Sequence, residues 1–301
     1  MSKLTNDMPS PLSAQTAGAA VREIAAELAS RGFESPSLDA RFLIESVTGE
    51  TREALALNPQ RALTSDERET ISAHLARRLA HEPVSRILGR RAFYGREFEV
   101  SPATLDPRPE TETLVEVALE IVQARGMSAR PIRILDIGTG TGCLLLTLLA
   151  ELPMASGLGT DPSAAALSVA EANAKRMALE PRAQWLKTDG LTGVSGPFDL
   201  AVANPPYIPS GEIGTLPPAV RDFDPHLALD GGADGLSVFR QIVSAARLVI
   251  PAGFVVLEVG AGQAEGVMDV IRQHSNAREC GNIETRNDLS GHTRCVIWMT
   301  H

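Results

Sequence analysis

The stretch ILDIGTGTG, residues 134–142, decides the fold class of this chain. An apolar strand runs directly into three alternating glycines, and a helical pattern follows them. Glycine permits positive φ angles at a strand-to-helix turn and lets a ligand approach the backbone closely. In doubly wound α/β folds such a turn borders the crevice where ligands bind. The predicted ligand loop consists of Gly138, Thr139, Gly140, Thr141 and Gly142.

Strand and helix signals alternate on both sides of this loop. The short apolar runs IRILDIG, GLGTD, AQWLKTD and FDLAVANPPY are separated by helical patterns, and GFVVLEVG follows a helix near residues 236–248. This alternation indicates βαβ units and a parallel sheet. The last two strand patterns, ECGNIETRND and TRCVIWMT, are expected to form an antiparallel pair. We assign residues 110–301 to this α/β domain.

The first third of the chain has helical periodicity instead. Ser37 is expected to cap one helix that ends at Gly49, and Thr64 and Glu67 have capping-box spacing at the start of another. These patterns predict a small helical-bundle domain over residues 14–85, with a recognition role. Residues 1–13 are expected to form a disordered tail. Residues 86–109 are expected to form a linker with a β-hairpin around Gly95.

Composition limits the class of protein. The 301 residues have a net charge of −9, and residues 91–301 contain 17 Lys and Arg against 25 Asp and Glu. Nucleic-acid-binding surfaces are usually basic, so we expect no direct nucleic-acid binding. The three cysteines form no C-x-x-C pair, which argues against a metal site. Without an apolar span or signal peptide in the sequence, we expect a cytoplasmic protein that binds no membrane.

Acidic residues follow the next two strands after the glycine loop. Asp161 ends the second strand, where its carboxylate can accept hydrogen bonds from a ribose diol. Asp189 and Gly190 follow the third strand, where an adenine amino group would lie. The alternative is that these acids only cap strand ends. The dinucleotide fingerprint is imperfect, since its third glycine falls at Cys143. The layout resembles the class I S-adenosylmethionine-dependent methyltransferases.

The fourth strand ends in Asn204-Pro205-Pro206-Tyr207, which cannot continue a central strand because proline lacks a backbone N–H. The segment could be a plain turn, for which Asn-Pro is a common signal. Beside a methyl donor it could instead clamp a planar NH₂ group. The Asn204 side-chain oxygen and a carbonyl of the proline segment would accept hydrogen bonds from the two N–H groups of this NH₂ group. Tyr207 would pack on its flat face. Under this interpretation Asn204, Pro205 and Tyr207 are the catalytic residues.

Four motifs together resemble one family. EPVSRILGRRAFYGREFEVSPATLDPRPETE, ILDIGTGTG, ANPPYIPS and VRDFDPHLALDGGADGL are similar, in order, to those of the peptide-chain release factor glutamine methyltransferases, the HemK/PrmC family. The resemblance covers the chain from about Glu82 to its end. Asp106 departs from the family pattern, in which an apolar residue is common at this position.

The resemblance implies a fold, a cofactor and a substrate. It implies a Rossmann-like class I methyltransferase domain with a seven-stranded mixed sheet that binds S-adenosylmethionine. The acceptor would be the side-chain amide nitrogen, N5, of the glutamine in the Gly-Gly-Gln motif of class 1 release factors, and the enzyme would be a monomer. The cofactor-binding residues would be Gly138 to Gly142, Asp161, Asp189, Gly190 and Asn204. The substrate-binding residues would be Asn204, Pro205, Pro206, Tyr207, Arg108 and Glu110.

Two other classes of protein remain open at this point. A nucleic-acid amino-methyltransferase, acting on adenine N6 or guanine N2, would use the same clamp, but would also need a basic groove and a target-reading region. A non-enzymatic module that only binds the cofactor would need neither Asn204 nor Tyr207.

Overall fold

The computed structural model describes residues 12–274 and 283–300. Contacts divide the chain into two compact units, Met1–Gly89 and Arg90–His301. The boundaries predicted at residues 85 and 109 stay a prediction. Of the predicted tail, residues 1–11 lie outside the described part, and Leu12 is buried in the helical core at 5% exposure.

The described residues of the first unit form five helices around one apolar core. The buried residues include Ile24, Leu43 and Ile71, one from each of the three longest helices. No strand is assigned within residues 12–89. The helices are α1 (Ala17–Ser30), α2 (Pro36–Thr48), α3 (Arg52–Leu57), α4 (Ser65–Leu79) and α5 (Val84–Leu88).

Helix ends in this unit were predicted with one error. The capping box of α4 is confirmed, because Thr64 Oγ1 accepts the Glu67 N–H while the Glu67 carboxylate accepts the Thr64 N–H. Gly49 ends α2 in the left-handed conformation, with φ of 69°. The predicted cap Ser37 is wrong. The helix begins at Pro36, whose fixed φ suits the first helical position, and Ser35 occupies the cap position.

The second unit begins with the predicted hairpin. Strands β1 (Arg90–Phe93) and β2 (Arg96–Glu99) pair antiparallel, which confirms the hairpin. Tyr94 and Gly95 form its two-residue turn with φ angles of 48° and 70°. Positive φ at both positions matches the twist of the flanking strands.

The main sheet has seven strands in the order β5-β4-β3-β6-β7-β9-β8 among the described residues. The first five in this order are parallel, and β9 pairs antiparallel with both β7 and β8. The Rossmann-like mixed sheet and its antiparallel final pair are therefore confirmed. Its strands are β3 (Ile132–Ile137), β4 (Ala155–Asp161), β5 (Ala183–Lys187), β6 (Leu200–Ala203), β7 (Phe254–Glu258), β8 (Ile283–Asn287) and β9 (Thr293–Met299).

Helices cover both faces of this sheet. Successive strand residues point to opposite faces, so Ile134 packs in one apolar cluster and Leu135 in the other. The first cluster includes α6, α7 and α8, and the second includes α10 and α11. The helices of this unit are α6 (Glu112–Ala124), α7 (Cys143–Glu151), α8 (Ala164–Arg176), α9 (Pro218–Arg221), α10 (Ser237–Val249) and α11 (Ala264–His274).

The parallel strands β3, β4, β6 and β7 all end at the same edge of the sheet. Residues that follow these strands are therefore brought together from distant parts of the chain. Within the described ranges, every helix is too short or too polar to cross a membrane.

Candidate active site

The glycine loop is held against the end of β4. The N–H groups of Gly138 and Thr139 both donate to the Thr160 carbonyl, at 2.9 and 2.8 Å. Gly138, Gly140 and Gly142 have φ angles of 74°, 55° and 79°, which strongly favour glycine. A Cβ added to Gly138 or Gly140 would meet open space, so the loop exposes bare backbone to the crevice. This arrangement leaves room for a ligand against the backbone.

Asp161 is tied into the same loop. One carboxylate oxygen, Oδ2, accepts the Gly140 N–H at 3.0 Å, and Oδ1 accepts the Ser163 N–H at 2.8 Å. The side chain is buried, and this burial raises the pKa of Asp161. Each oxygen keeps a second lone pair. The carboxylate can therefore hold the loop and still accept hydrogen bonds from a diol.

A second acid, Asp136, is fully buried beneath the loop. Its Oδ2 accepts the Thr139 hydroxyl at 2.6 Å. Burial raises the pKa of Asp136 to about 7, and the nearby Asp161 carboxylate also raises it, although the Thr139 and Leu145 hydrogen bonds oppose the shift. Asp136 therefore changes its charge near neutral pH.

We expect Asp136 to make stability depend on pH. A carboxyl that ionises near 4 when unfolded and at about 7 when folded favours folding below pH 4. That contribution declines as the pH rises to 7, by roughly 4 kcal/mol in the free energy of unfolding. Asp136→Asn should remove this decline. Denaturant unfolding from pH 4 to 8 tests it, and parallel pH profiles for variant and wild type would contradict it.

A cavity of about 470 Å³ opens beside the loop. Its volume is within the range of small-molecule sites. Every residue predicted to bind the cofactor contributes to its wall, except for the buried Gly142. The predicted residues on the wall are Gly138, Thr139, Gly140, Thr141, Asp161, Asp189, Gly190 and Asn204.

Asn204 directly follows β6 and lies at the wall of this cavity. Its Nδ2 donates to Thr111 Oγ1 at 3.1 Å. Pro205 is buried, and Pro206 lies partly exposed behind it. Among the described residues, no backbone N–H donates to the carbonyl of Pro205 or Pro206. The Asn204 Oδ1 atom and these carbonyls are thus available as acceptors, as the clamp interpretation requires.

A smaller cavity of about 270 Å³ adjoins the first. Both cavities are lined by Leu105, Arg108, Asn204 and Ala228, so they meet at the end of β6. Tyr207 lines only the smaller cavity, where Gln263 Nε2 donates to its backbone carbonyl at 2.8 Å. Of the predicted substrate contacts, Tyr207 and Glu110 line only the smaller cavity, and Asn204 and Arg108 line both. Pro205 and Pro206 line only the larger cavity.

The PRPETE segment, residues 107–112, borders both cavities. Arg108 Nη2 forms a 2.6 Å ion pair with Asp224 Oδ2, and Glu110 lines the smaller cavity. Asp224 also accepts the backbone N–H of Asp106 at 3.3 Å, while Asp106 itself is 4% exposed. The segment is thus fastened to the loop that follows the NPPY motif. Arg108 is partly committed to this ion pair, so its predicted role in substrate binding stays a prediction.

Sequence reasoning missed Glu258, Thr111 and Asp224. Glu258 ends β7 as the one acid of GFVVLEVG, so its position at a strand end was a usable signal. It is 3% exposed, and its Oε2 has no hydrogen-bond partner among the described residues. Burial raises the pKa of Glu258 to about 7, while the neighbouring Thr111 and Asn204 side chains favour its ionised form.

The larger cavity fits S-adenosylmethionine. The bare backbone at Gly138 and Gly140 leaves space for the amino-acid part, and Asp161 presents a buried carboxylate for the ribose hydroxyls. Asp189 and Gly190 lie farther along the same wall. For metals, the described residues contain no group of three or more His, Cys, Asp or Glu able to hold an ion. The fold and the glycine loop together define a methyltransferase of the Rossmann-like class.

Comparison with known proteins identifies the family. Two family models match, the PrmC N-terminal domain at residues 19–89 and the methyltransferase small domain at residues 116–215. A release factor glutamine methyltransferase of Bradyrhizobium diazoefficiens is 45% identical, over 88% of this chain and 89% of that protein. One of Nitratidesulfovibrio vulgaris is 35% identical, over 96% and 97%. The chain therefore belongs to the release factor glutamine methyltransferase family.

Solved structures agree on the fold. The catalytic domain of hMettl16, determined in complex with a 3′UTR hairpin, aligns with a TM-score of 0.58 over 76% of this chain and 82% of that one. The identity is 16%, so this likeness bears on the fold alone. The HemK/PrmC resemblance drawn from the sequence motifs is confirmed by the family models and the curated relatives.

Proposed function

We propose that this enzyme transfers a methyl group from S-adenosylmethionine to a glutamine side-chain amide nitrogen of release factors. The finer assignment is N5 of the glutamine in the Gly-Gly-Gln motif of class 1 release factors. The observation that supports it best is the junction of the two cavities at Asn204. One cavity suits the methyl donor, and the other suits a planar amide flanked by Asn204 and Tyr207.

Orientation is the main contribution of the protein. When bound, S-adenosylmethionine supplies a methyl group on a positively charged sulfur. An amide nitrogen is a weak nucleophile because its lone pair is delocalised. Asn204 Oδ1 and the Pro205 carbonyl accept hydrogen bonds from its two N–H groups. This turns the face of the nitrogen toward the cavity that suits the methyl donor. Alignment and exclusion of water lower the barrier by several kcal/mol. No strong base is needed beforehand, because the methylated nitrogen loses a proton readily.

The cofactor-binding roles are assigned by position. Asp161 holds the ribose hydroxyls, the Gly138 to Gly142 loop holds the amino-acid part, and Asp189 with Gly190 lies near the adenine. In the smaller cavity, Glu110 and Arg108 flank the glutamine. The helical unit recognises the release factor outside the reaction site. The remaining proposals are a monomeric state and a cytoplasmic location.

A transfer assay tests this function. Purified enzyme and labelled S-adenosylmethionine are incubated with a release factor, with the same factor carrying Gln→Ala at the Gly-Gly-Gln motif, and with DNA or RNA. We expect label only on the unmodified release factor. Label on nucleic acid but not on the release factor would favour the amino-methyltransferase alternative, which shares the clamp. The net charge of −9 is the observation against that alternative.

A further inference from the structure

The sheet places Glu258 beside Asn204. Strands β6 and β7 are parallel, and their register pairs Ala203 with Leu257. The next residues, Asn204 and Glu258, therefore stand side by side where the two strands end. Thr111 reaches the same point from the start of α6 and is 3% exposed. Glu258 and Thr111, which lie 54 and 93 positions from Asn204 in the sequence, thus complete one polar cluster with it at the cavity junction.

Hydrogen bonding in this cluster has a defined direction. Asn204 Nδ2 donates to Thr111 Oγ1 at 3.1 Å, and the buried Glu258 carboxylate lies next to both side chains, where its Oε2 has no hydrogen-bond partner among the described residues. An ionised carboxylate only accepts hydrogen bonds, so the NH₂ end of the Asn204 amide must face it. Thr111 Oγ1 then accepts one Nδ2 hydrogen, and the second Nδ2 hydrogen lies on the side of the carboxylate. The Oδ1 atom is left free at the opposite end of the amide.

We propose that Glu258 is a positioning residue that, together with Thr111, fixes the polarity of the Asn204 amide so that Oδ1 faces the substrate nitrogen. This inference rests on the proposed function, because it assumes a methyl-accepting group whose N–H groups donate hydrogen bonds. A neutral Glu258 has an O–H that can donate to Oδ1. Asn204 can then turn and present its NH₂ group, which cannot accept from the substrate amide. The ionised form of Glu258 is therefore the active form.

Burial and the charged groups around Glu258 together determine the pH at which it ionises. The Arg294 guanidinium on β9 favours the carboxylate, while the Glu110 carboxylate opposes it. Tyr207 also faces Glu258 and stays neutral, because burial raises the pKa of its hydroxyl. The nearby thiols of Cys143 and Cys295 stay neutral as well, since burial raises the pKa of each to about 12. Burial dominates over these neighbours and raises the pKa of Glu258 to about 7.

The first test compares Glu258→Gln with wild type in release factor methylation. We expect kcat to fall about 100-fold, with KM for the release factor and cofactor affinity changed less than threefold. In wild type, kcat should fall as the pH drops through about 7, and in Glu258→Gln this acid limb should be absent. A variant with wild-type kcat and the same acid limb would overturn the positioning role. No turnover by wild type would instead overturn the proposed function.

Thr111 supplies a matched pair of variants. Thr111→Ser keeps the hydroxyl and should keep kcat within threefold, whereas Thr111→Val keeps the shape without the hydroxyl and should lower kcat at least tenfold. Equal losses in both would indicate a packing role and contradict the proposal.

A second measurement needs no substrate. The Asn204 side-chain NH₂ hydrogens should exchange slowly with solvent in wild type at pH 8. Their NMR signals are assigned by their loss in Asn204→Ala. In Glu258→Gln and Thr111→Val the exchange should be at least tenfold faster. Unchanged exchange in both variants would overturn the proposal even if the enzyme methylated another acceptor.

Discussion

Asn204→Ala is expected to lower kcat for release factor methylation about 1,000-fold while leaving S-adenosylmethionine affinity within threefold of wild type. In the proposed mechanism, Asn204 is one of two hydrogen-bond acceptors that orient the weakly nucleophilic amide, and the substitution removes it. Loss of a single preorganised hydrogen-bond partner at a reacting group typically costs 100- to 1,000-fold in kcat. It also leaves Thr111 and Glu258 without the amide they contact. Single-turnover kinetics and cofactor titration of the same preparation measure the two effects separately.

An asparagine far from the site gives the control. Asn58 is exposed at the end of α3 in the helical unit, so Asn58→Ala should keep wild-type kcat. Turnover within tenfold of wild type by Asn204→Ala would contradict the clamp mechanism. A matching loss in cofactor affinity would instead place Asn204 mainly in cofactor binding.

Local features of the structure could be predicted because their causes lie within a few residues. The glycine loop, the capping box of α4 and the turn at Gly95 each depend on adjacent backbone geometry. Alternating strand and helix patterns implied a parallel sheet, and a parallel sheet brings strand ends to one edge. This is why Asp161 and Asn204 could be assigned to one crevice from sequence alone.

Partners that approach from distant segments could not be predicted in this way. The Thr111–Asn204 hydrogen bond joins residues 93 positions apart, and the Arg108–Asp224 ion pair joins residues 116 positions apart. Arg108 had the right location, but nothing in PRPETE indicates that a buried aspartate would engage its guanidinium. Glu258 was overlooked although it ends a strand, as Asp161 does, but its position beside Asn204 follows only from the pairing of β6 with β7.

The misplaced cap at Ser37 has a local cause of a different kind. The segment SPS offers two serines that flank a proline, and both are good cap residues. Proline at the first helical position decides between them, since it lacks the N–H that would be unsatisfied there. The cap position therefore moves to Ser35, even though its side chain makes no capping hydrogen bond.

Asp161→Ala is expected to weaken S-adenosylmethionine binding about 100-fold while lowering kcat at saturating cofactor less than tenfold. A hydrogen bond to a charged group is worth about 1.5–3 kcal/mol, so loss of the ribose contacts alone accounts for this factor. The substitution also leaves the Gly140 and Ser163 N–H groups without the carboxylate that accepts their hydrogen bonds in wild type. Calorimetric titration with S-adenosylmethionine measures the affinity, and turnover at high cofactor concentration measures kcat.

Asp189→Ala separates a direct contact from a general loss of negative charge. Asp189 lies on the same cavity wall but is exposed, and a hydrogen bond it made to adenine would compete with water. Its replacement should weaken binding less than tenfold. Equal losses for the two variants would show that charge at the cavity wall matters more than the buried geometry of Asp161. Unchanged affinity in Asp161→Ala would remove its ribose role.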